Sequence, residues 1–137
     1  MPPDPDLIEN TRAWLVKSTK DLHRVEVFLA AQSSDFEGAL FHCQQAAEKA
    51  LKAFLTWHDQ PFRKTHDLDA LGKQCTELDS TLGPLVERLD RLTEYAWIFR
   101  YPAEIAEPTP TEAEEAHTLA REAINAILDR LPVQVRP

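Results

Sequence analysis

Glycine is scarce here, with three residues in 137, and no Asn-Gly or Asp-Gly pair occurs. Tight two-residue hairpins need residues that accept positive φ, so an antiparallel sheet has little to turn on. Runs of alternating polar and apolar residues are also missing. Cysteine is limited to Cys43 and Cys75, with no CxxC spacing. That excludes a disulfide framework and a thiolate zinc site, and leaves both as small buried apolar side chains in helical segments. No apolar run approaches the ~18 residues of a membrane span. The N-terminal MPPDPDLIENTRAW is acidic and lacks the apolar core of a signal peptide, so a cytoplasmic location is expected. Basic residues are outnumbered, 15 against 23, for a net charge of −8. This argues against a broad footprint on duplex DNA, while a small local basic site stays open. There is no glycine-rich phosphate loop. The five histidines include no HExxH and no i,i+4 pair. Neither a resident metal nor a cofactor is therefore expected.

What the chain does contain is helical periodicity. Apolar residues make up 43% and charged residues 28%, the balance of a globular protein, and the length suits one domain over 1–137 with a core of about 6–131. A first helix is predicted from Asp4-Pro5 to about Ala31, with Leu7, Trp14, Leu15, Leu22, Val25 and Leu29 near one face. A second opens at a capping box, Ser34-Asp35-Phe36-Glu37, and runs to near Trp57-His58. Phe36, Leu40, Cys43, Ala47, Leu51 and Phe54 define its core face; Gln45, Glu48 and Lys52 fall on the other side, Glu48 and Lys52 spaced for an i,i+4 pair. A short third helix spans about Asp67 to Leu78, and a fourth about Thr81 to Trp97 with Leu82, Leu85, Val86, Leu89, Leu92 and Tyr95 inside. Prolines 102, 108 and 110 make 100–110 a loop, and Thr109-Pro110-Thr111-Glu112 opens a last helix that Pro132 stops. Its stripe is Ala113, Ala116, Ala120, Ile124, Ile127 and Leu131. Short loops between long helices imply antiparallel neighbours: an all-α, up-and-down bundle of about five helices.

Two segments stand apart from this pattern. In Phe62-Arg63-Lys64-Thr65-His66-Asp67-Leu68, two cations and a histidine precede a helix N-terminus. Either free amides and the helix dipole hold an anion there with Arg63 and Lys64, or Thr65 or Asp67 caps the helix while the cations are solvated. In Tyr95-Ala96-Trp97-Ile98-Phe99-Arg100-Tyr101-Pro102, aromatics crowd around one arginine. Arg100 is either held ready for a phosphate or carboxylate, or is a helix C-terminal cation beside aromatics that close the core.

Three segments together resemble the prokaryotic HEPN domain family. Gln44-Gln45-Ala46-Ala47-Glu48-Lys49-Ala50-Leu51-Lys52-Ala53 is similar to its QAAEKALKA signature, Lys64-Thr65-His66-Asp67-Leu68 to its K-T-H-D-L, and Arg100-Tyr101-Pro102 to its R-Y-P element, over roughly residues 10–131. The resemblance implies a HEPN-like helical bundle that forms a homodimer. It also implies operon pairing with a minimal nucleotidyltransferase, often as toxin and antitoxin. Many members are metal-independent ribonucleases in which an R-x4-6-H motif pairs arginine with histidine across a dimer cleft. No arginine of this chain has a histidine at that spacing; Arg100 is followed there by Ile105, Ala106 and Glu107. The expectation is therefore a dimeric nucleotide- or single-stranded-RNA-binding module, or accessory subunit, without the usual catalytic pair. Its nucleotide- or anion-binding candidates are Lys49, Lys52, Arg63, Lys64, His66, Arg100 and Tyr101. Two alternatives stand beside it: a ribonuclease toxin with a degenerate site using Arg100 with His66 or Glu107, and a purely structural partner protein.

Overall fold

The computed structural model describes residues 2–31, 36–96 and 107–137. These form five α-helices and short 3₁₀ segments, with no strand among the described residues. Helix α1 (Pro5–Ala30) starts as its sequence predicts: the Asp4 carboxylate accepts the Asp6 amide at 2.9 Å, and Pro5 follows where no amide is needed. Helix α2 (Phe36–Trp57) follows; its predicted capping box includes Ser34 and Asp35, which lie outside the described residues. It ends in a Schellman arrangement. The Gln60 amide reaches back to the Leu55 carbonyl and the Asp59 amide to that of Thr56, with Asp59 at φ 53°. Helix α3 (Leu68–Leu78) is capped by Asp67, and α5 (Pro110–Leu128) opens with the predicted capping box, Thr109 and Glu112 each accepting the other's amide.

The fourth predicted helix is broken. Only Gly83–Leu89 is α-helical (α4), between 3₁₀ turns at Ser80–Leu82 and Asp90–Ala96. The spacing of its apolar residues gives the reason: Leu89, Leu92 and Tyr95 recur every three residues. That period keeps one face inward in a 3₁₀ helix and drifts in an α-helix. Leu89 and Leu92 are indeed buried, each 1% exposed. The predicted end at Trp97 lies outside the described residues.

Helix α2 is the axis of the fold. It packs most extensively on α1, then on α5, the Asp90–Ala96 segment and α3. Alanines make this possible: Ala39, Ala46, Ala47, Ala50 and Ala53 of α2 and Ala113, Ala120 and Ala123 of α5 are fully buried, allowing close approach of the helix axes. The larger core side chains are Leu15, Leu40, Leu51, Phe54, Leu55, Leu71 and Ile127. Helices α1 and α2 run antiparallel, as three contacts show: Lys52 lies by Trp14, the Ser18 hydroxyl donates to the Ala46 carbonyl, and Phe28 faces His42. Cys43 and Cys75 are buried free thiols, each pushed up to about 12 by burial, so neither presents a thiolate. Beyond α5, Val135 packs back into the core and Arg12 donates to the Gln134 carbonyl, tying the last turn to α1.

Arg130 fastens the other end. Its guanidinium donates to Asp79, to the Ala126 carbonyl and to the Thr81 hydroxyl. Hydrogen bonds from Thr81, with Arg130 adding to them, hold the Asp79 carboxyl below its ordinary value. The stability this adds is present above that ordinary value and is lost as pH falls through the lowered folded one.

Gly72 marks a tight helix contact, since a Cβ there would lie 2.3 Å from Cγ1 of Val86 on α4. Overpacking of this kind costs about 1–3 kcal/mol, against a helix-propensity gain of about 1 kcal/mol for alanine over glycine. Gly72→Ala should therefore lower stability in urea denaturation, and should raise it by up to about 1 kcal/mol in a Val86→Ala background.

Candidate functional site

The amphipathic reading of α2 needs correction. Gln45, Glu48 and Lys52 do not face solvent, because α1 and the loop at 61–66 cover them. Glu48 is 2% exposed and Lys52 7%. The predicted i,i+4 pair forms, with Lys52 Nζ 2.7 Å from Glu48 Oε1, but it forms inside the protein. Oε2 of the same carboxylate accepts from Gln45 Nε2 at 2.8 Å, from Gln44 Nε2 at 3.2 Å and from His66 Nδ1 at 2.9 Å. A buried charge is tolerable only with such saturation.

A second buried carboxylate stands on α1. Asp21, 1% exposed, receives Lys49 Nζ at 2.5 Å, His42 Nδ1 at 2.8 Å and Arg24 Nη1 at 3.1 Å. The sequence reading placed none of Thr11, Ser18 or Asp21 inside, yet with Leu15 and Val25 they form the buried stripe of α1. Their spacing of four, three, three and four was the available signal. It was hidden because the stripe is more polar than apolar.

In both centres a carboxylate only accepts, so each histidine donates from Nδ1 and turns Nε2 away from the carboxylate. The 3.3 Å approach of Gln45 Nε2 to His66 Nδ1 is then a contact between two donors, not a hydrogen bond. His66 is anchored twice, since Gln44 also donates to its carbonyl at 2.9 Å. Phe62, four residues earlier, packs edge-on to Trp14 with ring centroids 6.0 Å apart. Lys52 Nζ lies 5.3 Å from the Trp14 ring and 5.7 Å from that of Phe62, within cation–π range.

In Phe62–Leu68 the cap is formed. The Asp67 carboxylate takes the Asp69 and Ala70 amides, Thr93 Oγ1 takes that of Leu68, and Thr65 Oγ1 takes that of Asp67. Leu68 packs at 1% exposure. No free amide of the α3 N-terminus is left to hold an anion. Arg63 and Lys64 are exposed, with no hydrogen bond or ion pair among the described residues. They stand beside a cavity of about 610 Å³ lined by Phe62, Arg63, Thr65, Asp67, Ala70 and Gln74, a volume in the range of small-ligand sites.

The structure thus brings Lys49, Lys52 and His66 into one polar stripe with the missed residues Asp21, His42, Gln44, Gln45 and Glu48, and sets Arg63 and Lys64 at its end. Glu107 stands apart, exposed on the approach to α5. Arg100 and Tyr101 lie outside the described residues, so the readings of the aromatic segment rest on sequence. Among the described residues no group of three or more His, Cys, Asp or Glu side chains is placed to hold a metal, and no helix is long and apolar enough to cross a membrane.

The HEPN domain family model matches residues 11–131, most of the chain. This chain belongs to the HEPN family. Neither a curated protein nor a solved structure matches it. The all-α bundle is the architecture the resemblance implies, and HEPN membership supports a nucleotide- or RNA-binding or ribonuclease-type protein. Within this HEPN domain, two of the motifs that carry the resemblance meet at one carboxylate, Glu48, through His66.

Glu48→Gln removes that charge and strands Lys52, which typically costs about 3–5 kcal/mol for a buried pair. Adding Lys52→Met to Glu48→Gln should recover most of the loss, measured by urea denaturation of the single and double variants.

Proposed function

We propose that this HEPN protein acts as a homodimeric nucleotide- or RNA-binding module, an accessory subunit to a minimal nucleotidyltransferase in a toxin–antitoxin type of pair, without the R-x4-6-H ribonuclease site. The observation that carries the binding reading is the cavity beside Phe62 and Arg63. An aromatic side chain, an exposed guanidinium and the Thr65 hydroxyl line it, and Lys64 is adjacent. Aromatic surface suits a base, and a guanidinium suits phosphate oxygens. Lys52 contributes indirectly, since its ammonium is held by Glu48 and steadies Phe62. Arg63→Ala, at an exposed position, should leave the fold unchanged and weaken binding of a nucleoside monophosphate or short RNA by about tenfold or more, the loss of one charge-assisted hydrogen bond. Titration calorimetry measures this, and unchanged affinity would refute the assignment. Light scattering at tens of micromolar tests the dimer, and co-purification from the native operon tests the nucleotidyltransferase partner.

A ribonuclease reading has one observation in its favour. The buried Glu48 carboxylate accepts from Nδ1 and orients the His66 ring, the arrangement that prepares the far nitrogen of an imidazole for proton transfer. Under this reading, chelator-treated protein cleaves single-stranded RNA, and cleavage is lost in both His66→Ala and Arg100→Ala. Absence of cleavage by the wild-type dimer would leave the binding module alone.

A further inference from the structure

The charge of this protein is unevenly distributed. The whole chain is at −8, yet residues 11–25 hold four Lys or Arg and one carboxylate, and residues 38–66 hold four and two. Of those three carboxylates, Asp21 and Glu48 are buried, which leaves Asp59 as the acid these segments show to solvent. The α1–α2 seam and the loop over its end are therefore a basic surface on an acidic protein.

The seam has a defined geometry. On α1, Trp14, Lys17, Asp21, Arg24 and Phe28 recur at three, four, three and four residues; on α2, His42, Gln45, Lys49 and Lys52 recur at three, four and three. Both spacings follow one helix face, and the antiparallel packing sets the two stripes side by side. Asp21 serves two permanent cations, Arg24 and Lys49, so one positive charge there has no internal counter-charge. Arg24 is about half exposed, and Lys49 and His42 reach solvent in part. The buried carboxylate holds these groups in place, which lowers the side-chain ordering cost of binding an anion between them. At the loop end lies the Trp14–Phe62 aromatic pair, with Lys17 Nζ 5.7 Å from the Trp14 ring.

We propose that the α1–α2 seam is a track for a single strand of RNA, with Lys17, Arg24 and Lys49 along its phosphates and Trp14 and Phe62 offering base-stacking surface at the end nearest the cavity. The proposal rests on the nucleotide- or RNA-binding reading above and extends it from one cavity to a path about three helical turns long, from Trp14 to Arg24. Cations in a row with an aromatic platform are what sequence-tolerant single-strand binding requires, whereas an acidic protein segment would use the cations alone.

The test is fluorescence anisotropy of the full-length protein with a short fluorescein-labelled oligouridylate, titrated across salt concentration. Lys17→Ala/Arg24→Ala removes two exposed cations and leaves Asp21 paired with Lys49; its thermal melt by circular dichroism should match the wild type. Binding should weaken about tenfold or more, and the slope of log K against log salt should become shallower by about 1.4, since each single-strand phosphate contact contributes about 0.7. Lys73→Ala/Arg121→Ala, on α3 and α5, should change neither. If the double seam variant keeps the wild-type slope while Arg63→Ala weakens binding, the seam assignment is wrong and the RNA reading stands. Binding of uridine monophosphate without the oligomer also overturns the track alone, whereas binding of neither overturns both. Binding of fluorescein-labelled polyglutamate, with no affinity for the oligomer, would assign the seam to an acidic protein and overturn the proposal.

Discussion

The rest of this structure depends on a carboxylate buried away from the surface. Glu48 sits at the middle of the central helix with Lys52, His66, Gln44 and Gln45 gathered around its two oxygens. An isolated charge in that position is prohibitive, so each neighbour is a condition for the helix to be buried on this side at all. Lys52 supplies the counter-charge from one turn along. The loop after α2 supplies His66 and closes over the stripe. With that loop come Phe62, which packs edge-on to Trp14, and Asp67, which starts α3. The path of the chain from α2 to α3 is thus set by what Glu48 needs as much as by apolar burial.

Asp21 repeats the solution on the other helix, with one difference that matters for function. Glu48 is enclosed, and its Lys52 is nearly as buried as itself. Asp21 is enclosed too, but its cations extend outward and outnumber it. The same device, a buried acid holding a lysine and the Nδ1 of a histidine, locks the core in one place and leaves surplus positive charge at the surface in the other. A net charge of −8 therefore misdescribes the α1–α2 face. Total charge bounds what the whole molecule attracts at long range, while a local row of cations decides what it can hold at contact distance.

Much of the fold was readable in the sequence because local chemistry and global packing agree. Asp4-Pro5 and Thr109-Pro110-Thr111-Glu112 start helices where they should, and the alanine stripe of α5 meets the core. The broken fourth helix is also written there, because the three-residue spacing of Leu89, Leu92 and Tyr95 suits a 3₁₀ helix rather than an α-helix. The site was less legible. A run such as Gln45, Glu48 and Lys52 opposite an apolar face has the signature of a solvated side. Only a central helix, covered on both sides, turns it inward, and that burial comes from α1 and the loop, whose polar contributions Asp21 and His66 are distant in sequence. Periodicity reports that a face is polar. It does not report what will cover it.

This explains why the family's first two motifs belong together. In the helix signature the alanines, with Leu51, are packing residues, while Gln44, Gln45, Glu48 and Lys52 are one buried network. In Lys64-Thr65-His66-Asp67-Leu68 the roles divide by residue. Thr65 makes the turn, His66 closes the network, Asp67 caps α3 and Leu68 enters the core; Lys64 alone faces water with no structural task in the described contacts. The motif that invited an anion site at a helix N-terminus is thus mostly a latch. What it leaves over for ligands is its flank, Phe62, Arg63 and Lys64, positioned by the latch but not consumed by it. A segment can be highly specific to a fold for reasons of burial, and still present its functional groups from the residues that burial did not require.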